Sequence, residues 1–97
     1  MARKDEKQSL GDALRSFLKE NDLQKGIDQV QLAEAWKEVL GPGVATYTRS
    51  VRLRGRTLTV QLNSSVLREE LSLGKSRIIV LLNEHLGREL VDKLQLQ

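Results

Sequence analysis

The stretch that decides the fold runs from residue 51 to residue 62 and reads Val51-Arg52-Leu53-Arg54-Gly55-Arg56-Thr57-Leu58-Thr59-Val60-Gln61-Leu62. Apolar and polar residues alternate on both sides of Gly55-Arg56, which is the pattern of two half-buried strands. If Gly55-Arg56 is a two-residue loop, Leu53 lies opposite Leu58, and the apolar side chains of both strands share one face. Glycine at the first loop position suits a type II′ turn. Turn chemistry and register agree, so this stretch predicts a β-hairpin.

Two amphipathic helices are predicted before the hairpin. The first starts at Ser9 and ends at Asn21-Asp22, and its apolar face comprises Leu10, Ala13, Leu14, Phe17 and Leu18. The second starts at Asp28, and its apolar residues are Leu32, Ala33, Trp36, Val39 and Leu40. Gly41-Pro42-Gly43 ends this helix, since glycine suits the position after a helix and proline cannot continue it.

A long helix and a last strand are predicted after the hairpin. Asn63-Ser64-Ser65 supplies the N-cap, the helix runs from about Ser65 to Leu86, and Gly87 ends it. Gly74 falls within the apolar face, so we interpret it as a point of close approach to the sheet. Leu90 to Leu96 reads as a short third strand, whose pairing partner the pattern does not determine.

The predicted order is therefore helix, helix, strand, strand, helix, strand, and the fold class is α+β with helices packed on one face of a three-stranded sheet. The 97 residues fit one domain, which we place at residues 9–97, with residues 1–8 as a flexible tail. The charged N-terminus has no apolar core of a signal peptide, and no apolar run approaches the ~20 residues of a membrane span. We expect a soluble, cytoplasmic chain.

The sequence has few of the residues that enzymes ordinarily use for catalysis. There is no cysteine and a single histidine, His85, which the pattern places near the apolar face of the long helix. Glu69 and Glu70 are adjacent, so on a helix they diverge by ~100° and cannot work as a pair. We expect no enzyme, no metal site, no cofactor and no small-molecule substrate.

Positive charge is concentrated in the middle of the chain. Residues 49–77 carry seven Lys or Arg against two Asp or Glu, a net charge of +5, whereas residues 1–48 and 78–97 each carry −1. The candidate nucleic-acid-binding residues are Arg49, Arg52, Arg54, Arg56, Arg68, Lys75 and Arg77. Any one arginine is more often simply solvated, but the cluster indicates an anionic partner. No aromatic residues are interleaved, so contacts to phosphate are favoured.

Trp36 is the only tryptophan of the chain. On an amphipathic helix such a residue is most often part of the core. The alternative is a partly exposed anchor for a protein partner, because tryptophan is enriched at interaction hot spots.

Several segments, taken in their order along the chain, resemble the DciA-like domain. They are Ala35–Gly41, Val44–Thr48, Leu53–Val60, Ser64–Leu71 and Leu81–Gly87, which match a tryptophan followed by a glycine, a "G-x-x-L-x-V" hairpin, an "S-x-x-x-x-x-E-L" helix start and an "L-L-N-x-x-L-G" helix end. The resemblance extends from about Gly26 to the end of the chain. It implies a KH-like fold, with Trp36 as the matching tryptophan and Arg52 to Arg56 as the basic hairpin.

The resemblance also implies a bacterial DNA-replication accessory protein that binds both the replicative helicase and nucleic acid and assists helicase loading. Two other functions stay open at this point. One is a KH-type module that binds RNA, and the other is a protein–protein adaptor whose arginines serve only solubility. Binding that weakens with salt separates the nucleic-acid functions from the adaptor.

Overall fold

The hairpin and the sheet follow the sequence pattern. A computed structural model describes the backbone of residues 2–97 and the side chains of residues 11–13 and 23–97. Strands β1 (Thr48–Arg54) and β2 (Thr57–Leu62) pair antiparallel, with Leu53 opposite Leu58 and Arg54 opposite Thr57. Gly55 has φ 60° and no other residue of the turn has a positive φ, as a type II′ turn requires. The predicted hairpin is confirmed.

The helices preceding the hairpin differ from the prediction. Helix α1 spans Ala2–Thr46 and passes through Asn21-Asp22 without a break, so the predicted end of a first helix there is wrong. Asn and Asp each lower helix propensity by only about 0.7 kcal/mol relative to Ala, too little to stop a helix by themselves. The kink comes at Gly41 (φ 90°, ψ 171°), followed by Pro42, where the sequence places the end of a helix.

The N-terminal part of α1 leaves two expectations untested. The side chains of Leu10, Leu14, Phe17 and Leu18 lie outside the described ones, and of the predicted first stripe only Ala13 is described, as exposed. The backbone of residues 2–8 belongs to α1, while their assignment as a tail outside a domain at residues 9–97 stays a prediction.

Two helices, not one, follow the hairpin. Helix α2 spans Ser65–Ser72, with Ser64 as the predicted N-cap accepting a hydrogen bond from the Leu67 N–H at 3.1 Å. Helix α3 spans Lys75–Leu86 and ends at Gly87 in the left-handed conformation (φ 73°), as predicted. Leu73 and Gly74 form a turn between them, and no described atom lies within 4 Å of where a Gly74 Cβ would stand. The predicted continuous helix with a close approach at Gly74 is therefore wrong.

Strand β3 (Lys93–Leu96) settles the pairing that the sequence left open. It lies parallel to β2, so the sheet order is β1-β2-β3, and α2 with α3 forms the crossover between the two parallel strands. Asn83 on α3 positions the connection: its side-chain amide donates to the Val91 carbonyl at 2.8 Å and accepts from the Leu90 and Val91 N–H groups at 3.0 Å.

The core lies between one face of the sheet and the helices. Its buried side chains come from α1, β2, α3, the segment leading into β3 and β3 itself, and they are Leu32, Ala35, Trp36, Leu58, Val60, Leu62, Ile78, Leu82, Val91 and Leu94. All the helices therefore share one side of the sheet, and the α+β class with a three-stranded mixed sheet is confirmed. No described element covers the opposite face of the sheet.

Gln29 and Asp28 make polar contacts between α1 and the rest of the domain. The Gln29 amide donates to the Val51 carbonyl, and its Oε1 accepts from the Leu53 N–H at 2.8 Å, so it pairs with the outer edge of β1. Asp28 is buried and accepts hydrogen bonds from Arg88 and Gln24. Burial raises the pKa of Asp28, but these hydrogen bonds and the charge of Arg88 outweigh it, and the net pKa lies below its usual value.

Candidate nucleic-acid interface

The uncovered face of the sheet forms an open, polar depression. Side chains of β2 alternate, so Leu58, Val60 and Leu62 fill the core while the residues between them point away from the helices. The depression has a volume of 530 Å³ and is lined by all three strands, with the residues Ser50, Arg52, Arg54, Thr57, Thr59, Gln61, Gln95 and Gln97. Among the described residues no Asp or Glu side chain lines it, and its charged side chains are all positive.

Arg52 and Arg54 provide those charges. Both are exposed, and both lie on β1 two residues apart, so they share the outer face as the alternation predicted. Within the part of the chain whose side chains are described, neither guanidinium lies within 4.0 Å of a carboxylate. Lys25, Asp28 and Arg54 line a neighbouring cleft between α1 and the hairpin turn, where charges of both signs meet.

A β-bulge at the start of β1 places Arg49. Thr48 pairs with Leu62 and Ser50 with Gln61, so Arg49 is an extra residue in the strand. In a regular strand the side chain of Arg49 would point to the same side of the sheet as Val51 and Leu53, toward the core. The bulge leaves Arg49 exposed while Thr48 accepts a hydrogen bond from the Trp36 indole at 3.0 Å.

Arg56 differs from the other arginines of the hairpin. Its Nε lies 3.1 Å from Oδ2 of Asp92, and both side chains are 54% exposed. No local pattern could indicate this pair, because 36 residues separate Arg56 from Asp92. An exposed pair of this kind contributes about 0–1 kcal/mol, so an anionic ligand can compete for Arg56.

The three remaining cations lie on the helical side of the sheet. Arg68 belongs to α2, whereas Lys75 and Arg77 belong to α3. The structure does not bring these residues to the depression, and the seven candidates therefore do not form one patch.

Trp36 is a core residue and not a surface anchor. Only 1% of it is exposed, and its indole N–H is satisfied by Thr48, whose hydroxyl in turn donates to the Val44 carbonyl at 2.8 Å. The hypothesis of a partly exposed anchor is wrong, because α1 turns this position toward the sheet. Its role is to hold the start of β1, where the bulge begins.

Other groups that could carry chemistry are engaged or dispersed. Nε2 of His85 lies 2.9 Å from Oε2 of Glu38, which joins α3 to α1 at the surface. Among the described side chains, no group of three or more His, Asp or Glu could hold a metal ion. Within residues 2–97, no helix combines the length and the apolar character that crossing a membrane requires.

Sequence reasoning missed the uncharged half of the depression. Alternation placed Thr57, Thr59 and Gln61 outward, but nothing marked them as candidate ligand contacts. Gln95 and Gln97 could not be added, because their position beside β2 depends on a parallel pairing that no local pattern predicts. The useful signal was the absence of any acidic residue from residue 49 to residue 68.

These features define a small α+β domain that carries a cationic sheet face, without a described Asp or Glu side chain, opposite its helices. The chain belongs to the DciA family: the profile described as "Dna[CI] antecedent, DciA" matches residues 9–96. The match begins well before Gly26, so it includes the N-terminal part of α1 beyond the segments that carried the resemblance. No curated protein matches the chain. The DciA family is associated with helicase loading in DNA replication.

Proposed function

We propose that this protein is a non-enzymatic accessory factor of DNA replication that binds nucleic acid through the outer face of its sheet and also contacts the replicative helicase. The helicase part rests on membership of the DciA family. The nucleic-acid part rests on one observation, the pair of exposed arginines on a sheet face that no described Asp or Glu side chain lines. The proposed site of action is the cytoplasm.

Electrostatics supports the choice of this face. A phosphate backbone is attracted by Arg52 and Arg54, and each guanidinium can donate two parallel hydrogen bonds to one phosphate. A solvated surface with no ligand ordinarily mixes both signs of charge, whereas the charged side chains described in this depression are both positive. Arg49 at one end of β1 and Arg56 at the other extend the positive surface along the strand.

Charge reversal tests this assignment. We expect the Arg52→Glu/Arg54→Glu variant to bind single-stranded DNA at least tenfold more weakly, because it replaces two phosphate contacts by two repulsions. The slope of log affinity against log salt concentration should flatten by about one to two units. Fluorescence anisotropy over a series of salt concentrations measures both quantities.

A matched variant, Arg77→Glu/Lys75→Glu, changes the same number of charges on the helical side of the domain. We expect it to retain most of the affinity if the sheet face is the binding site. Equal losses in the two variants would show that only net charge matters. No detectable binding by the wild-type protein at low salt would remove the nucleic-acid function and leave a protein–protein adaptor.

Binding to RNA and DNA of the same sequence separates the replication factor from a KH-type RNA-binding module. A replication factor should bind DNA at least as tightly as RNA. Co-purification of the tagged chain with the replicative helicase tests the helicase contact independently of nucleic acid.

A further inference from the structure

Six uncharged side chains of the sheet face have no evident structural role. They are Ser50, Thr57, Thr59, Gln61, Gln95 and Gln97. The single hydrogen bond among these side chains is a long one, 3.4 Å from Oγ1 of Thr59 to Oε1 of Gln95. Among described residues, the amide nitrogen of Gln95 and the whole amide of Gln61 have no hydrogen-bond partner. Their donors and acceptors are therefore free for a ligand.

The chemistry of these groups differs from that of the arginines beside them. A glutamine amide offers a donor and an acceptor side by side, which matches the paired donor and acceptor on the edge of adenine. A guanidinium offers donors only and suits phosphate oxygens. The sheet face thus places groups suited to phosphate on β1 and groups suited to bases on β2 and β3.

The shape of the sheet determines which bases it can reach. Three strands about 4.8 Å apart, with side chains and a helical layer beneath them, are too broad to enter a major groove about 12 Å wide. Base edges can approach this face only when they are unpaired. No aromatic residue lines the depression, so recognition there must come from hydrogen bonds and not from stacking.

We infer that Gln61 and Gln95 hydrogen-bond the base edges of an unpaired nucleic-acid strand whose phosphates lie against Arg52 and Arg54. This inference rests on the proposed nucleic-acid function and adds to it a set of residues that read the bases. Affinity then depends on the bases present, and the arginines alone set the salt dependence.

The test compares two ligands by fluorescence anisotropy. One is an oligodeoxyadenylate of about twelve nucleotides, within the size range of single-strand sites, and the other has the same length with abasic sites at its centre. We expect the wild-type protein to favour the intact oligomer by about tenfold, as one good bidentate base contact provides. The Gln61→Ala/Gln95→Ala variant should bind both oligomers with similar affinity and an unchanged salt slope.

Two further variants keep the test decisive. Ser76→Ala, on an exposed position of α3, should retain the preference for the intact oligomer. Gln61→Glu/Gln95→Glu preserves side-chain size and should weaken binding of both oligomers, and circular dichroism melting checks that each variant is folded. Equal wild-type binding of the two oligomers, or a preference that survives the double alanine change, would overturn the inference and leave the arginine site intact. Failure of the wild-type protein to bind either oligomer would instead overturn the proposed function and this inference with it.

Discussion

At the scale of single residues, Asp28 shows how one buried carboxylate joins two distant parts of the chain. It lies on α1, while Arg88, which follows the end of α3, donates to it and also to Oε1 of Gln31 at 2.9 Å. The sequence suggested Asp28 as a helix start. Its partner 60 residues away depends on the tertiary fold, so no local pattern could reveal it.

The lowered pKa of Asp28 predicts an acid-sensitive contribution to stability. Because the folded-state pKa lies below the unfolded one, the contribution is present above the ordinary carboxyl pKa and is lost as pH falls through the folded-state value. We expect Asp28→Asn to lower the free energy of unfolding at pH 7 by about 2 kcal/mol, the usual size for a hydrogen bond to a charged group. Urea denaturation at pH 7 and near pH 3 measures the difference, which should shrink in acid.

Asp92→Asn is the matched control for this prediction. Asp92 also pairs with an arginine, but both side chains are half-exposed, so the change should cost less than about 1 kcal/mol. If the free energies of unfolding of wild type and Asp28→Asn differed by the same amount at both pH values, the stabilisation would not come from the ionised form of the Asp28 carboxylate.

At the scale of helices and strands, the sequence predicted the ends of elements correctly where a turn or cap residue marked them. Gly55 fixed the hairpin, Ser64 the start of α2 and Gly87 the end of α3. The failures came where competing helix propensities differ by less than about 1 kcal/mol, as at Asn21-Asp22 and Gly74. At such positions tertiary packing decides, because a break at Gly74 lets α2 and α3 each turn an apolar face to the core.

The turn between α2 and α3 offers a stabilising substitution. Gly74 occupies the N-cap position of α3 at φ −126°, has no side chain to cap the helix, and has open space around it. We expect Gly74→Ser to raise the free energy of unfolding by about 0.5 to 1 kcal/mol, through a cap hydrogen bond and a less flexible unfolded chain. Thermal and urea melts measure the change.

Gly55→Ser provides the opposite case. Gly55 has a positive φ, so a side chain there should cost about 1 to 2 kcal/mol. A loss of stability in Gly74→Ser comparable to that in Gly55→Ser would show that Gly74 is needed for its lack of a side chain.

At the scale of the whole molecule, the parallel pairing of β2 and β3 completes both the core and the candidate site. It buries Val91 and Leu94 on one side and places Gln95 and Gln97 on the other. The sequence predicted the arginine half of the site from alternation alone. It could not predict the glutamine half, because strand order results from contacts between distant segments.

Asn83 holds the segment that leads into β3. We expect Asn83→Ala to lower the free energy of unfolding by about 3 kcal/mol, because it leaves the Leu90 and Val91 N–H groups without an acceptor. Amide exchange of Gln97, whose N–H donates to the Val60 carbonyl at 2.9 Å, should accelerate more than exchange within the hairpin. Equal acceleration of amide exchange throughout the domain would count against a local role of Asn83. The control variant Asn83→Asp keeps the acceptor, so its loss in free energy of unfolding should be intermediate.

The amide of Gln29 has a consequence for how copies of this domain can meet. Since it occupies the outward N–H of Leu53 and the outward carbonyl of Val51, a foreign strand must displace Gln29 before it can pair with this part of β1. Growth of the sheet is thereby disfavoured on the β1 side. Two copies joined through β3 would each end in a β1 edge covered by Gln29, so association by this route favours a pair over a fibre.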